Sequence, residues 1–418
     1  MQSPRSCDKF ICETSAVSPR LNLLNHLPFV LPFEHRVQLF RLFIANDRHR
    51  LGIREWGRPK MEVQIRRDHV FEDGYRQLFP LGASLKDWIA ISFIDAFGLP
   101  ESGIDGGGVF KEFLTSLGQE AFNAHYGLFA ATPDQLLYPQ PSQIAIDANQ
   151  LANFTFLGMI IGKALYEGIL LDVGFADFFL KKCLGYANYL DDLPSLDPDL
   201  YKGLMQVKHF QGNVEDLCLD FSLTDNGMAK NGIHTVNLIP RGNEIQVTNE
   251  NKIRYVYLVA NYRLNVQIAR QCKAFFNGLS TIIDPKWLRM FNQQEAQILM
   301  GGAAVPIDLG DLRRNTTYAS YDDTDPTIQY LWQALNEFSN NDRMKFVKFV
   351  TSCARPPILG FKELQPPLCI RKAGDDETRL PTSSTCVNLL KLPAYTSYQV
   401  LKEKLLYSIN AHAGFDLS

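Results

Sequence analysis

The sequence predicts an α+β protein in two unequal bodies, a large, mainly helical one followed by a small mixed one. Three observations point there. Apolar residues recur at helical spacing through roughly the first 300 positions. A polar stretch with an Asp-Pro step, Asn315 to Thr327, then breaks the pattern and reads as a linker. The remaining ninety or so residues mix helical and strand-like runs. The chain has 418 residues, enough for two or three folding units at roughly 150 residues each.

In chain order, the first 26 residues lack clear periodicity and are expected to form a tail. Phe33, Val37, Phe40 and Ile44 fall at helical spacing, with Pro32 fitting a first helical position. Glu62 to Ile65 is a strand candidate. GIDGGGVFKEFLTSL reads as a glycine turn, with Asp105 as a cap or turn residue, leading into a helix. It is no phosphate loop, because no Gly-Lys-Ser/Thr follows. Phe154 to Leu171 is the longest apolar run. Lys163 and Glu167 interrupt it, and Gly158, Gly162 and Gly168 suit close helix packing, so a buried core helix is expected rather than a membrane span.

Leu200, Tyr201, Leu204 and Val207 give the next helix its apolar positions. VEDLCLDFSL and EIQVTN read as short strands around polar turns such as Asp225-Asn226-Gly227. Helix is expected from Lys252 to Leu279, and again up to a stop at Gly301-Gly302. Beyond the linker the expected elements are helices at Thr327 to Phe338 and Met344 to Phe349, strands at Leu368 to Arg371 and Val387 to Leu392, and a last helix from Tyr398 to Ile409.

Composition excludes several function classes. Hydrophobic residues make up 46% and charged residues 21%, with a formal net charge of -3, so no strong field holds the chain on nucleic acid or anionic membrane. No basic stripe with interleaved aromatics is present. The eight cysteines include no CxxC pair, and the histidines form no HxxxH or HExxH, so no metal and no cofactor is expected. The N-terminal MQSPRSCDKF has no apolar signal core. The expected setting is a reducing intracellular one, cytoplasmic or nuclear, with free thiols.

Cys386 lies in RLPTSSTCVNLLKLPAY, between a polar loop and an apolar strand, with Pro381 and Pro393 stiffening both flanks. Ser383, Ser384 and Thr385 place hydroxyls beside the sulfur, where they could support a thiolate. From this local pattern alone, a structural cysteine and a nucleophile both remain open.

The wider pattern resembles the catalytic domain of HECT-type ubiquitin-protein ligases. That family's signature is Leu-Pro, a short polar run, Thr-Cys, then an apolar strand ending in Leu-Pro. GIDGGGVFKEF, FTFLGMIIGKALYEG, VTNENKIRYVYLVANYRLN, MFNQQEAQILMGG and a C-terminal GFDLS match in order, from about Leu27 to the last residue. TSCARPPILGFKEL and LPFVLPFEHRVQLF are similar to the proteasome-associated, chain-elongating branch.

The resemblance implies a bilobal fold. It comprises a large lobe at 27–316 with a conjugating-enzyme-binding subdomain at about 178–258, a hinge at 317–326, and a small α/β lobe at 327–418. It implies an acyltransferase without cofactor or metal. Ubiquitin would arrive from a conjugating enzyme, form a thioester on Cys386 with Thr385 in support, and pass to a lysine of a protein substrate or of ubiquitin. Exchange of one thioester for another needs little driving force, and a thiol of pKa ~8.5 is strongly nucleophilic even when only a few per cent ionised. Positioning can supply much of the remaining rate, so no His–Asp pair is needed. Many members carry histidine two residues before the cysteine, where this chain has Ser384.

By the same match, Leu200, Leu204, Val207, Phe210, Tyr255 and Val259 would line the groove for the conjugating enzyme, although the same residues also read as core of a helical subdomain. Phe415 would serve lysine transfer, its plainer reading being a tail aromatic. Asp416 or the terminal carboxylate could take a proton from the incoming lysine. The proteasome is a further partner that the branch implies. Two other functions compete: a cysteine hydrolase acting on ubiquitin conjugates, with His412 as its base, and a binding module without catalysis.

Overall fold

Helix α1 (Phe33–Leu51) starts directly after Pro32, which occupies the N-cap in an extended conformation and not the first helical position expected of it. The structure is a computed structural model describing residues 26–53, 61–95, 98–99, 108–123, 126–141, 148–225, 234–303 and 305–411. The expected tail up to residue 25, Asp105 and its glycine turn up to Gly107, Asn226-Gly227, His412, Phe415 and Asp416 lie outside the described residues. Val37, Phe40 and Ile44 are buried along α1, as their spacing requires. Arg36 ties this helix to a distant one by a two-pronged contact with Glu295, at 2.6 and 2.7 Å.

Strand β1 (Met61–Arg66) contains the expected Glu62 to Ile65. It pairs in parallel with β2 (Ile89–Ile94) across helix α2 (Val70–Leu78). Helix α3 (Gly108–Ala121) packs on α2 and β2. A short antiparallel pair follows, β3 (Phe129–Ala131) with β4 (Leu137–Pro139). The apolar run then becomes α4 (Ala148–Glu167), ended by Gly168 at φ 72°. Among the described residues, no helix is long and apolar enough to cross a membrane. The charges in α4 are paired inside the fold: Lys163 is 2% exposed and donates to Glu167 at 2.5 Å and to the carbonyls of Lys86 and Asp87. Glu167 also receives Arg48 at 2.6 Å.

After α5 (Asp177–Cys183) and α6 (Pro198–His209), VEDLCLDFSL is only partly extended. Val214–Leu217 is a 3-10 turn, and strand β5 (Ser222–Asp225) pairs with β6 (His234–Asn237), a strand the periodicity did not signal. EIQVTN is not a strand. It adds only an isolated bridge, Gln246 to Asp220. The turn at Gly242 folds back so that the Phe221 N–H is shared between the Gly242 and Ile245 carbonyls, which prevents a continuous ladder.

The helix expected over Lys252 to Leu279 is broken in two. A π turn, Tyr262–Val266, separates α7 (Lys252–Asn261) from α8 (Ala269–Ile282). Helix α8 lies hard against α4, and glycines make the approach possible. A Cβ on Gly158 would stand 2.0 Å from the Phe275 carbonyl oxygen, and one on Gly278 would stand 1.8 Å from that of Thr155. Next come α9 (Pro285–Leu288) and α10 (Gln293–Gly301), the latter opened by an Asn292–Glu295 capping box and stopped at Gly302, φ 80°.

The buried apolar residues fall into two separate clusters. One runs from Val37 to Met300 and the other from Ile307 to Ile409. The second includes α11 (Leu309–Arg314) and a sheet in the order β7-β8-β10-β9. Its strands are β7 (Thr316–Ala319), β8 (Leu368–Lys372), β9 (Thr382–Ser384) and β10 (Leu389–Leu392). Helices α12 (Pro326–Glu337), α13 (Asn340–Thr351) and α14 (Tyr398–Asn410) cover it.

The stretch expected as linker and hinge is therefore built into the second cluster. Thr316 to Ala319 pairs in parallel with Leu368 to Arg371, the Trp332 indole N–H donates to the Tyr318 hydroxyl, and the Tyr321 hydroxyl donates to the Leu392 carbonyl. Its polar composition reflects an edge strand with one wet face. Between the two clusters lie Gly302 to Pro306, where Val305 is half exposed.

Candidate active site

Strands β9 and β10 form an antiparallel pair, with Ser384 opposite Leu389, and the connection between them is a 3-10 turn of Thr385, Cys386 and Val387. Asn388 closes the turn at φ 49°, a conformation asparagine tolerates better than most residues. It is 1% exposed and tied on three sides. Its side-chain amide donates to the Pro366 carbonyl at 2.7 Å, its own carbonyl accepts from the Cys369 N–H at 3.0 Å, and its N–H donates to the Thr385 carbonyl at 3.3 Å. The turn is thus held by its C-terminal end, while Cys386 itself is half-buried and unpaired in any disulfide.

Burial and the nearby Glu112 carboxylate push the Cys386 thiol above its ordinary value. The N–H groups of Val387 and of Cys386 itself, together with the Lys111 ammonium, act in the opposite direction. The hydroxyls expected to support the sulfur make no bond to it among the described contacts. Ser383 is buried and donates to the Phe349 carbonyl at 2.5 Å, and no Ser384 or Thr385 hydroxyl bonds the sulfur among the described contacts. Of the other described thiols, Cys183, Cys272 and Cys353 are buried and pushed upward by it, Cys272 to about 12. Cys218 is exposed, and Cys369 lies in β8 beside the turn.

The six residues expected to line a partner groove divide. Leu204, Tyr255 and Val259 are 4, 7 and 1% exposed and belong to the first core, with the Tyr255 ring edge-on to Phe221. Val259 in particular is covered by its own fold, so a groove-lining place for it is corrected to core. Leu200 and Val207 are partly buried against the same core. Phe210 alone of the six is open, at 36%.

Sequence reading missed the exposed apolar side chains on the segments joined to that of Phe210: Leu217, Ile245, Ile253 and Tyr257. Three contacts hold their segments together: Lys252 Nζ to the Phe210 carbonyl, Asn249 to that of Gly212, and Gln246 to that of Glu215. Ile253 and Tyr257, four apart on α7, were the available signal, since they face away from the buried Tyr255 and Val259.

Comparison with known proteins is consistent with this arrangement. The HECT-domain (ubiquitin-transferase) family matches residues 115–418. A probable E3 ubiquitin protein ligase of Schizosaccharomyces pombe is 50% identical over 403 residues, covering 96% of this chain and 39% of that protein. The E3 ubiquitin-protein ligase HUL5 of Saccharomyces cerevisiae is 43% identical over 418 residues, 96% of this chain and 45% of its own length. The human ubiquitin-protein ligase E3B is 41% identical over 432 residues, covering 95% of this chain and 40% of that protein. The chain thus spans about two fifths of the length of these three relatives. With the family match reaching from within α3 across the Cys386 turn to the last residue, the chain belongs to the HECT-domain family.

Proposed function

We propose that this chain is the catalytic portion of a HECT-type ubiquitin-protein ligase, accepting ubiquitin from a conjugating enzyme as a thioester on Cys386 and passing it to a lysine of a substrate or of ubiquitin. The observation that carries this reading is the Cys386 turn. It is a half-exposed thiol on a strand-bounded loop whose ends are fixed by Asn388, within the family's signature sequence. The two hydrophobic clusters are read as the two lobes, with the pivot at Gly302 to Pro306 and not at the expected 317–326. Ubiquitin, the conjugating enzyme and protein substrates are the partners, in a cytoplasmic or nuclear setting. The proteasome as a further partner rests on the TSCARPPILGFKEL and LPFVLPFEHRVQLF motifs alone.

The conjugating enzyme is assigned to the apolar patch of Phe210, Leu217, Ile245, Ile253 and Tyr257. Phe210→Ala or Tyr257→Ala is expected to weaken its binding by about 2 kcal/mol, as removal of an aromatic anchor does. Titration of a fluorescent conjugating enzyme, beside a thermal melt of each variant, measures this. Undiminished binding by both folded variants would remove the patch from consideration.

Phe415 and Asp416 are proposed to serve the second step only. Lysine, with a reference pKa of about 10.4, must lose a proton as it attacks, and a carboxylate can take it. Deleting Phe415 to Ser418 is expected to leave the Cys386 adduct near normal while lysine modification falls sharply. Equal loss of both steps in a quantified gel would place the tail earlier in the reaction.

The test of the whole reading is a non-reducing gel after mixing the protein with thioester-charged conjugating enzyme. A thiol-sensitive ubiquitin adduct is expected. Free ubiquitin without an adduct would point to the hydrolase, and neither product to the binding module.

A further inference from the structure

Lys111, in the first turn of α3, reaches across to the Cys386 turn. Its ammonium donates to the Thr385 carbonyl at 3.2 Å and to the Asn388 side-chain oxygen at 2.7 Å. These are the two residues that bracket Cys386 and Val387. Around this contact the two clusters touch at further points. Thr115 and Ser352 share a hydroxyl hydrogen bond at 3.3 Å, Lys348 pairs with Asp172 at 2.6 Å, and the Cys353 thiol lies 3.7 Å from the Gly301 carbonyl. Ile358 and Leu359 pack against the first core. A cleft of about 800 Å³ remains open beside them, with Lys111 and Asn388 in its wall. The ammonium is thus a charged member of a docked arrangement, and the one seated on the loop that bears the nucleophile.

We infer that Lys111 is a positioning residue for the second step, holding the acylated Cys386 turn against α3 while lysine attacks. This rests on Cys386 being the ubiquitin-bearing cysteine. The docked arrangement suits that step better than the first. To receive ubiquitin, the sulfur must meet a conjugating enzyme seated on the Phe210 patch, which belongs to α6, α7 and their connections and not to α3. Burial and Glu112 oppose a Cys386 thiolate in both steps, as it forms before loading and as it departs in transfer. In the transfer, the lysine nitrogen forms the amide bond and the C–S bond breaks. The sulfur leaves with its electron pair, and the proton shed by the amine passes through the carboxylate proposed above to the thiolate or to solvent. The Lys111 ammonium lies close enough to favour that departing thiolate, and its two hydrogen bonds fix the turn as it forms.

The charge is needed for this role, which gives the clamp a pH limit. Burial pulls the Lys111 pKa down to about 8. The titratable groups acting on it are Cys353, after α13, and Cys386 in the turn; Glu112 is next along its own helix, and Arg355 lies beside Cys353. As pH rises through that value the ammonium is lost and the clamp weakens. An arginine at 111 would stay charged throughout that range.

The experiment separates the two steps in the whole chain, using charged conjugating enzyme for loading and free lysine for discharge. Lys111→Met is expected to load at a rate within about twofold of wild type, and to discharge at least about tenfold more slowly, as loss of charge-assisted hydrogen bonds at a reacting loop implies. Lys111→Arg should restore discharge, and Lys111→Gln, a donor without charge, should not. The ratio of wild-type to Lys111→Arg discharge should fall from pH 7 to pH 9, while the loading ratio stays flat. A thermal melt accompanies each variant, and the pH ratio stands even where Lys111→Met melts early. Wild-type discharge by Lys111→Met, or equal slowing of both steps in a folded variant, would overturn the inference and leave Cys386 untouched. Absence of any wild-type adduct would instead overturn the reading of Cys386.

Discussion

Replacing Cys386 with alanine is expected to abolish the ubiquitin adduct, with the fold intact. The turn around it is held by backbone bonds and by Asn388, none of which uses the sulfur, so the change removes one partly exposed atom. The stability cost should stay within about 1 kcal/mol, in the range of substitutions away from special features. The buried Cys183, Cys272 and Cys353 offer no substitute route, since burial makes all three poor nucleophiles where they sit. Cys386→Ser should trap a thiol-resistant oxyester if any adduct forms. Reducing and non-reducing gels of both variants make the measurement. A wild-type level of thiol-sensitive adduct on the alanine variant would move the chemistry to Cys218, Cys369 or a cysteine outside the described residues.

The largest stability loss from a single methyl group is expected at Gly278. Its Cβ would stand 1.8 Å from the Thr155 carbonyl oxygen and 3.0 Å from the Met159 nitrogen, both backbone atoms of α4. No side-chain rotation relieves such a contact, so α4 and α8 must separate along their whole crossing. Overpacking of this kind costs about 3 kcal/mol or more, and the melting temperature should fall by about 5 °C or more. Gly52→Ala is a useful contrast: its φ of 68° carries strain, but nothing lies within 4 Å of its Cβ. Calorimetry on both variants tests the point, and an unaltered melt for Gly278→Ala would show that the helices are not packed as closely as drawn.

The long helices were legible from their apolar residues: those of α1 and α14 repeat on one face and place each helix within a few residues, while α4 was read from its apolar run and lies four to six residues earlier at each end. The close packing at Gly158 and Gly162 was legible too, because glycines in a long apolar helix have few other uses. What escaped were features set by distant chain. Strand β7 is polar, and only its pairing with β8 makes it a strand. EIQVTN has strand-like alternation, but the Phe221 N–H that meets Ile245 is shared with the Gly242 carbonyl. In the site, the Thr-Cys signature placed the turn correctly, while Ser383 was spoken for by the Phe349 carbonyl. Of the expected groove residues, Tyr255 and Val259 lie in the core for a plain reason: α7 has a buried and an open side, and they share the buried one. Lys111 left no local trace at all, since the residues it holds lie 274 and 277 positions further along the chain.

The order of strands in the small sheet has a mechanical consequence. Strand β7, which follows closely on the connection from the first cluster, is one edge of the sheet, and β9, which leads into Cys386, is the other. Three strand spacings of about 4.8 Å set the sulfur roughly 14 Å from the attachment side. On the proposed pivot, the sheet would act as a lever with its load at the far end. A quarter turn about Gly302 to Pro306 would carry the sulfur roughly 20 Å on that arm, a travel comparable with a whole strand's length, without breaking a hydrogen bond within the sheet. A cysteine on β7 would barely move in the same swing.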